Sequence, residues 1–248
     1  MSRKARFALV ALCLLAWFGY RHASEHTKPA NKAATRSTAA PVPTRMFGRI
    51  AFQPCTLPSP TGAPSVEAQC GKFDVAENPA LPKGRRITLN IAWIPANDDN
   101  RDITDPVFML AGGPGQSATQ SYAMVARAFR EVGKRRGVIL VDQRGTGASN
   151  PLICDAHDDE TLAGNDQETG TAARTAAEHC RDALSKRADL RFYTTSDAIR
   201  DLDAVRAALG VDRINLLGIS YGTRVAQQYA RRYPQHTRTL VLDSVAPN

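Results

Sequence analysis

The chain has 248 residues, of which 43% are hydrophobic and 23% charged, and its formal net charge is +8. This composition supports a packed core and excludes a disordered chain, and no apolar run reaches the roughly twenty residues that a polytopic membrane protein needs in each span. Residues 1–45 hold eight basic residues and one acidic residue, so the remainder is nearly neutral and lacks the basic surface of a nucleic-acid-binding protein.

The N-terminus has the pattern of an export signal. Residues 1–21 are predicted to be a signal peptide or an N-terminal membrane anchor, because basic residues 2–6 are followed by 14 apolar residues. Arg21 and His22 stand where a cleavage site has small residues, so both alternatives stay open. Either one sends the protein to the periplasm or outside the cell. Residues 22–45, rich in Ala, Thr, Lys and Pro, are predicted to be a flexible tether.

From about residue 70, strand-like and helix-like runs alternate. The predicted strands are 71–75, 87–94, 107–110, 138–141, 214–217 and 239–243. The predicted helices are 117–132, 171–187, 196–209 and 220–233. This alternation predicts an α/β domain over 46–248 with a mostly parallel sheet led by an antiparallel pair. A long segment at about 145–195 is predicted to be an excursion from that domain.

Four cysteines follow the N-terminal segment, and they allow three pairings. Pairing neighbours in sequence is the simplest choice, so we predict the disulfides Cys55–Cys70 and Cys154–Cys180. Each bond would close a short loop and stabilise the protein by about 3 kcal/mol. Disulfides agree with an exported protein.

A metal site is the alternative to the second disulfide. Cys154 with His157, and His179 with Cys180, look like two halves of a ligand set. Neighbouring residues on a helix point about 100° apart, so His179 and Cys180 cannot easily face one ion. The sequence therefore predicts neither a metal nor a cofactor.

The pentapeptide GISYG carries the chemistry. Gly218, Ser220 and Gly222 fit the pattern G-x-S-x-G between an apolar strand and an amphipathic helix. In such a turn the serine has strained backbone angles, and the glycines avoid clashes with neighbouring backbone. The turn also lifts the hydroxyl to a helix N-terminus, whose positive potential stabilises negative charge. Ser220 is the predicted nucleophile, and an ordinary glycine-rich turn is the alternative.

The segment LAGGPGQSA follows a strand and precedes a helix, where an α/β hydrolase places one oxyanion-hole amide. Pro114 has no N–H, so Gly113 is the first choice for this donor and Gly112 the second. The N–H of Tyr221 is the predicted second donor. A phosphate-binding loop is excluded, because no Gly-Lys-Ser/Thr follows and Asn150 stands where a dinucleotide-binding loop has glycine.

Five segments stand in a recognisable order and spacing: LAGGPGQSA, VDQRGTGASNPL, SDAIRDLDAVRAALG, NLLGISYGTRVA and TLVLDSVAP. Over about residues 50–248 the chain resembles the prolyl-aminopeptidase-like and tripeptidyl-aminopeptidase-like serine peptidases of the α/β-hydrolase superfamily. The resemblance implies the α/β-hydrolase fold, a mostly parallel sheet with helices on both faces. It also implies release of N-terminal residues or short peptides through an acyl-enzyme on Ser220.

The same resemblance assigns roles to further residues. Gly113 and Tyr221 match the oxyanion amides of this family, and Asp142 and Arg144 match a motif that we interpret as structural, bracing the strand end beside the site. Ala111 departs from the family, whose members often have histidine there, and we expect this change to affect loop packing more than the donor.

The expected partners of Ser220 are missing. The superfamily order is Ser, then Asp or Glu, then His, and only His236 and Asp243 follow Ser220. His236 is predicted to be a surface residue in a turn at the far end of the sheet, and Asp243 ends the last strand. We expect the chain to be the N-terminal part of a longer enzyme, truncated after about the sixth strand. It would lack the acid, the base and the cap, and alone it would be nearly inert.

Two classes of function follow. The first is an exported serine hydrolase that acts on a peptide or ester, an aminopeptidase with an esterase or lipase as the close alternative. The second is a non-catalytic α/β-hydrolase-like module that binds a ligand or partner. No nucleic-acid partner is expected, and a membrane tether through the N-terminal segment stays open. An Asp followed by a His beyond residue 248 in the reading frame would favour the enzyme.

Overall fold

The computed structural model describes residues 44–60, 62–97, 105–154 and 170–247. The predicted signal or anchor over 1–21, almost all of the predicted tether and the middle of the predicted excursion lie outside the described residues. Among the helices of the described ranges, none combines the length and the apolar character that crossing a membrane requires.

Eight strands of the described chain form one sheet with the order β1-β2-β3-β4-β6-β5-β7-β8. The strands are β1 (Arg45–Phe47), β2 (Ile50–Leu57), β3 (Val66–Ala76), β4 (Arg86–Ile94), β5 (Val107–Leu110), β6 (Val138–Val141), β7 (Ile214–Ile219) and β8 (Thr237–Asp243). The helices are α1 (Ala118–Val125), α2 (Gly170–Ser185), α3 (Thr195–Leu209) and α4 (Tyr221–Arg232). The helix predicted over 117–132 is shorter than expected, because after α1 the chain continues in 3₁₀ turns.

The sheet is mixed, which corrects the expectation of a mostly parallel sheet. Strands β1 to β4 run antiparallel, and β4 pairs antiparallel with β6, whereas β6, β5, β7 and β8 are parallel neighbours. The last described strand is the eighth rather than the sixth, because β1 and β2 were not predicted. Strand β2 contains Pro54, and a proline argues against a central strand. It fits here because β1 pairs only with Ile50–Phe52, which leaves the strand past residue 52 at an edge.

Helices cover both faces of the sheet, as predicted. On β5, Phe108 and Leu110 belong to one buried cluster, while Val107 and Met109 belong to the other, as the two-residue period of a strand requires. The first cluster contains Ile199, Leu202 and Val205 of α3 with Val225 and Tyr229 of α4. The second contains Ala118 and Tyr122 of α1. The α/β-hydrolase architecture therefore has α3 and α4 on one face and α1 on the other.

The ends of α3 are fixed by local sequence signals. Thr194 caps the helix and forms a reciprocal capping box with Asp197. Gly210 ends it with φ at 74°, a left-handed conformation that favours glycine. The predicted helix over 196–209 is thus confirmed, and its first turn lies beside the candidate site.

Both predicted disulfides are present. Cys55–Cys70 joins β2 to β3 with the Cα atoms 5.8 Å apart, and Cys154–Cys180 joins the segment after β6 to α2 with the Cα atoms 5.3 Å apart. The second bond uses both sulfurs of the alternative metal site, and His157 lies outside the described residues. Both cysteines belong to the predicted excursion, so the bond ties the segment after β6 to α2 within it.

Candidate active site

Ser220 lies on the turn between β7 and α4. Its φ of 52° and ψ of −119° are strained for a residue other than glycine, and its side chain is exposed. The hydroxyl does not cap the helix that follows. The predicted strand–turn–helix geometry is therefore confirmed: the turn holds a serine hydroxyl at the carboxyl end of parallel strands and at a helix N-terminus, where positive potential favours developing negative charge.

The two flanking glycines are required by close backbone approach. A Cβ on Gly218 would lie 2.6 Å from the carbonyl carbon of Gly222 and 2.7 Å from the nitrogen of Thr223. A Cβ on Gly222 would lie 2.8 Å from the carbonyl oxygen of Ala111. The first turn of α4 therefore packs closely against the segment that leaves β5. The Ser220 turn, called the elbow below, and the glycine loop over residues 112–115 are thus held next to each other.

Backbone hydrogen bonds hold the Ser220 turn in place. The N–H of Ser220 donates to the carbonyl of Asp243 at 2.9 Å. The Ser220 carbonyl accepts from the N–H of Thr223 at 2.9 Å and from its hydroxyl at 2.6 Å. Thr223 is fully buried, and its hydroxyl accepts a bond from the N–H of Ala246 at 2.9 Å. Sequence reasoning did not single out Thr223, and the only signal was its place in the SYGTR run.

The glycine loop after β5 contacts Ser220 through Gly112. A Cβ on Gly112 would lie 3.2 Å from the Cβ of Ser220 and 3.1 Å from Oε1 of Gln116. The nearest neighbours of a Cβ on Gly113 are instead the nitrogens of Gly115 and Gln116, at 2.8 and 3.0 Å. The structure brings Gly112 directly against the serine and places Gly113 one residue further along the loop. Gly113 as the first-choice donor stays a prediction.

Tyr221 follows Ser220 and is held in place through its side chain. As the first residue of α4, its N–H has no acceptor within the helix. Its hydroxyl shares a 2.6 Å hydrogen bond with the hydroxyl of Thr195, the first residue of α3. The predicted second oxyanion donor therefore lies next to Ser220 on a fixed support.

Asp142 has the structural role that the sequence predicted. It is fully buried at the end of β6. Its carboxylate accepts from the Ser117 hydroxyl at 2.7 Å, from both the N–H (3.0 Å) and the hydroxyl (2.9 Å) of Thr119, from the Asn90 amide at 2.9 Å and from the Ala148 N–H at 3.2 Å. A carboxylate with this many donors is committed to holding the start of α1 and the loop after β6.

Arg144 also braces this end of the sheet. Its guanidinium forms a bidentate, buried pair with Asp201 of α3, at 2.6 and 2.7 Å. It donates further to the carbonyls of Glu77 and Phe192, at 2.9 and 2.6 Å. Burial by itself lowers the pKa of Arg144, but the hydrogen bond and charge of Asp201 outweigh it, so the pKa is raised. The predicted structural role is confirmed.

His236 lies at the opposite end of the sheet from Ser220, as predicted. It directly precedes β8, and β8 runs parallel to β7, which ends at Ser220. The His236 side chain is 27% exposed in a turn, as predicted for a surface residue, but it also has specific partners. Nδ1 of His236 is 2.8 Å from Oδ1 of Asp203 on α3, and its ring stacks on Tyr233. At the other end of β8, Asp243 is exposed and accepts from the Ser244 hydroxyl at 3.1 Å.

Comparison with known proteins gives a consistent result. A family profile described as alpha/beta hydrolase fold matches residues 105–248. The serine protease Hip1 of Mycobacterium tuberculosis (strain ATCC 25618 / H37Rv) is 31% identical in an alignment of 212 positions that covers 80% of this chain and 40% of that protein. The tripeptidyl aminopeptidase of Streptomyces lividans is 30% identical over 71% of this chain and 35% of its own length. A proline iminopeptidase of Xylella fastidiosa (strain 9a5c) is 29% identical over 56% of this chain and 32% of its own length.

The chain spans at most 40% of the length of each of these three relatives. The matched profile begins just before β5 and includes the glycine loop, the Asp142 and Arg144 braces and the Ser220 turn. These are the segments that carried the resemblance in the sequence. With its sheet, its elbow and this match in agreement, the chain belongs to the α/β-hydrolase family.

Proposed function

We propose that the protein is an exported serine aminopeptidase that releases N-terminal residues or short peptides through an acyl-enzyme on Ser220. The geometry of the Ser220 turn carries this proposal. The serine is exposed, its backbone is strained, and its hydroxyl is not used to cap α4. Strain of this kind persists where surrounding contacts impose it, and it clusters at active sites. Two of the relatives reported above bear the names of aminopeptidase-type enzymes.

The proposed reaction begins when Oγ of Ser220 adds to the carbonyl carbon of the scissile bond and passes its proton to a general base. The resulting oxyanion accepts hydrogen bonds from the N–H groups of Tyr221 and Gly113, each contributing about 3 kcal/mol. Collapse of this intermediate breaks the C–N bond, and the leaving amine takes the proton. Water then hydrolyses the ester on Ser220 and releases the N-terminal product.

In this proposal the general base and its acid lie outside residues 1–248. The position of His236 supports this assignment, because it is at the far end of the sheet and is already bonded to Asp203. Residues 1–248 alone are then nearly inert, since loss of the base in a serine triad lowers turnover by a factor of about 10⁶. The relatives' greater length leaves room for these groups.

Export is the second part of the proposal. Two disulfides are typical of oxidising compartments and support it. Residues 1–21 would supply the signal peptide or membrane anchor, as their basic start and apolar run suggest. A reporter fused after Arg45 should be found outside the cytoplasm. A reporter that stays in the cytoplasm would contradict export without bearing on the reaction.

Turnover tests the chemistry. The protein made from its complete reading frame should hydrolyse aminoacyl anilides faster than nitrophenyl esters of fatty acids, whereas an esterase or lipase would show the reverse order. Ser220→Ala should abolish anilide turnover, and Ser185→Ala, which changes an exposed serine on α2, should not. A binding module would turn over neither substrate.

A further inference from the structure

A groove of about 430 Å³ runs beside the glycine loop, between α1 and the loop that follows β2. Its walls are residues 58–60, Gly115, Gln116 and the first two turns of α1 as far as Met124. We propose that this α1 groove binds the part of a peptide substrate that follows the scissile bond, as an extended and uncharged segment. The inference rests on the proposed aminopeptidase function and adds a binding site for the leaving peptide.

The α1 groove lies beside the candidate active site. Gln116 lines the groove, and its Oε1 lies 3.1 Å from the Cβ position of Gly112. That same Cβ position is 3.2 Å from the Cβ of Ser220. A chain that leaves the serine across the glycine loop therefore passes Gln116 and enters the groove.

The lining of the α1 groove favours a neutral peptide. Pro58, Pro60 and Met124 supply apolar surface, and the other lining residues are glycine, serine and glutamine. No charged side chain is among these lining residues. Serine and glutamine groups pair with peptide N–H and C=O groups, while a charged side chain in the groove would lose water without gaining a partner. Peptides with small or apolar side chains are thus the class that fits.

Ser59 gives a second, independent indication. Its hydroxyl is buried and has no hydrogen-bond partner among the residues that the structure describes. The other two serines of the groove differ, because the Ser117 hydroxyl donates to Asp142 and the Ser121 hydroxyl donates to the Ser117 carbonyl. A buried polar group without a partner raises the free energy of the unliganded protein. In the proposal, rotation about the Cα–Cβ bond of Ser59 offers this hydroxyl to the backbone of the bound peptide.

The leaving side of the substrate is the part that suits an open groove. An aminopeptidase substrate begins only one or a few residues before the scissile bond, so its acyl part is short. The part after the scissile bond continues for the length of the peptide and must leave the site along the surface. Residues Pro58, Pro60, Gly115 and Gln116 are exposed, which leaves the α1 groove open along that path.

The test compares substrates that share one aminoacyl group, using the protein from its complete reading frame. The first substrate is the anilide, which has no leaving peptide, and the others carry an Ala-Gly-Ser-Ala or an Ala-Lys-Ser-Ala tail. Met124→Glu should raise KM for the neutral tail by about tenfold. It should favour the lysine tail relative to the neutral one, and it should leave anilide kinetics within about twofold. Met46→Glu, which changes an exposed methionine on β1, is the matched control and should change none of these values.

Ser59→Ala supplies a readout that a merely structural role would not give. It should raise KM for the tailed peptides by about threefold to tenfold, the effect of one hydrogen bond, without lowering the melting temperature. If the anilide is hydrolysed but Met124→Glu and Ser59→Ala change KM equally with and without a peptide tail, the proposed role of the α1 groove is overturned. The proposed function then stays intact. Absence of anilide turnover in the unsubstituted protein overturns the proposed function and this inference with it.

Discussion

At the carboxyl end of β7, the structure presents an exposed serine on a strained turn, whereas at the amino end of β8 a histidine and an aspartate are paired with each other. Asp203 accepts from the Tyr229 hydroxyl and from Arg206, and it bonds Nδ1 of His236. The hydroxyl of Ser220, by contrast, caps nothing. Polar side chains therefore stabilise the protein at one end of the sheet, whereas the serine hydroxyl at the other end is left available for chemistry.

The buried residues that support the Ser220 turn form a third case. Asp142 and Arg144 lie at the same end of the sheet as the serine, but their polar groups are committed to hydrogen bonds. At this end of the sheet, the available hydroxyl of Ser220 is thus supported by buried polar groups whose hydrogen bonds are already formed. Four predictions test this division, and the first two compare a position near Ser220 with one elsewhere.

Replacing the buried carboxylate should have the largest effect on stability. Asp142→Ala leaves the donors of Ser117, Thr119 and Asn90 without their acceptor, so the free energy of unfolding should fall by about 3–5 kcal/mol. Urea unfolding measures the change. Asp203→Ala, at the other end of the sheet and nearer to solvent, should cost less, and an equal or larger loss there would reverse the comparison.

Adding a methyl group at the elbow should have the next largest effect on stability. Gly222→Ala places a Cβ 2.8 Å from the Ala111 carbonyl oxygen, so the free energy of unfolding should fall by about 1–3 kcal/mol. Reactivity of Ser220 should fall as well, because the turn must shift. Gly133→Ala is the control, since a Cβ there meets no atom within 4 Å. Equal stability of the two variants would show that the elbow can accommodate a Cβ at residue 222 without strain.

Removing one hydroxyl tests the support of the oxyanion donor. Tyr221→Phe loses the hydrogen bond to Thr195 and should lower the free energy of unfolding by about 1 kcal/mol. In the complete protein it should lower kcat more than it raises KM, because in the proposed reaction the Tyr221 N–H hydrogen-bonds the oxyanion. A change confined to KM would place the effect on substrate binding.

The smallest effect on stability is expected at Asp203, at the end of the sheet where it pairs with His236, and this effect depends on pH. Burial by itself raises the pKa of Asp203, but hydrogen bonds from Arg206, Tyr229 and His236 outweigh it, so the pKa is lowered. The stabilisation is therefore full above the ordinary aspartate pKa of about 4 and is lost as the pH falls through the lowered value. Asp203→Asn should cost below about 1 kcal/mol near neutrality, and the cost should shrink at acid pH. A cost that does not change with pH would contradict this account.

The sequence predicted the centre of the sheet best. Strands β5 and β6 are confirmed to the residue, because each is a four-residue apolar run with turn residues around it. The outer strands β1 and β2 were missed, since β2 contains Pro54 and gains its place by pairing with β1 and β3. The local apolar pattern was sufficient to predict strands that are fully buried. It failed for strands whose place in the sheet depends on pairing with their neighbours.

The candidate site divides in the same way. The Ser220 turn and the structural roles of Asp142 and Arg144 followed from motifs, whereas Thr223 did not. Its function depends on the N–H of Ala246, 23 residues away, and sequence spacing gives no sign of such a contact. The pairing of His236 with Asp203, 33 residues apart on different elements, was hidden for the same reason.

Labelling with a fluorophosphonate, followed by peptide mass spectrometry, tests the role of Ser220 most directly. In the protein from its complete reading frame, the label should be found on Ser220, should be lost in Ser220→Ala and should persist in Ser185→Ala. Residues 1–248 alone should label far more slowly, because the proposed base is absent. A label on another serine, or undiminished anilide turnover by Ser220→Ala, would contradict the assignment of Ser220 as the nucleophile.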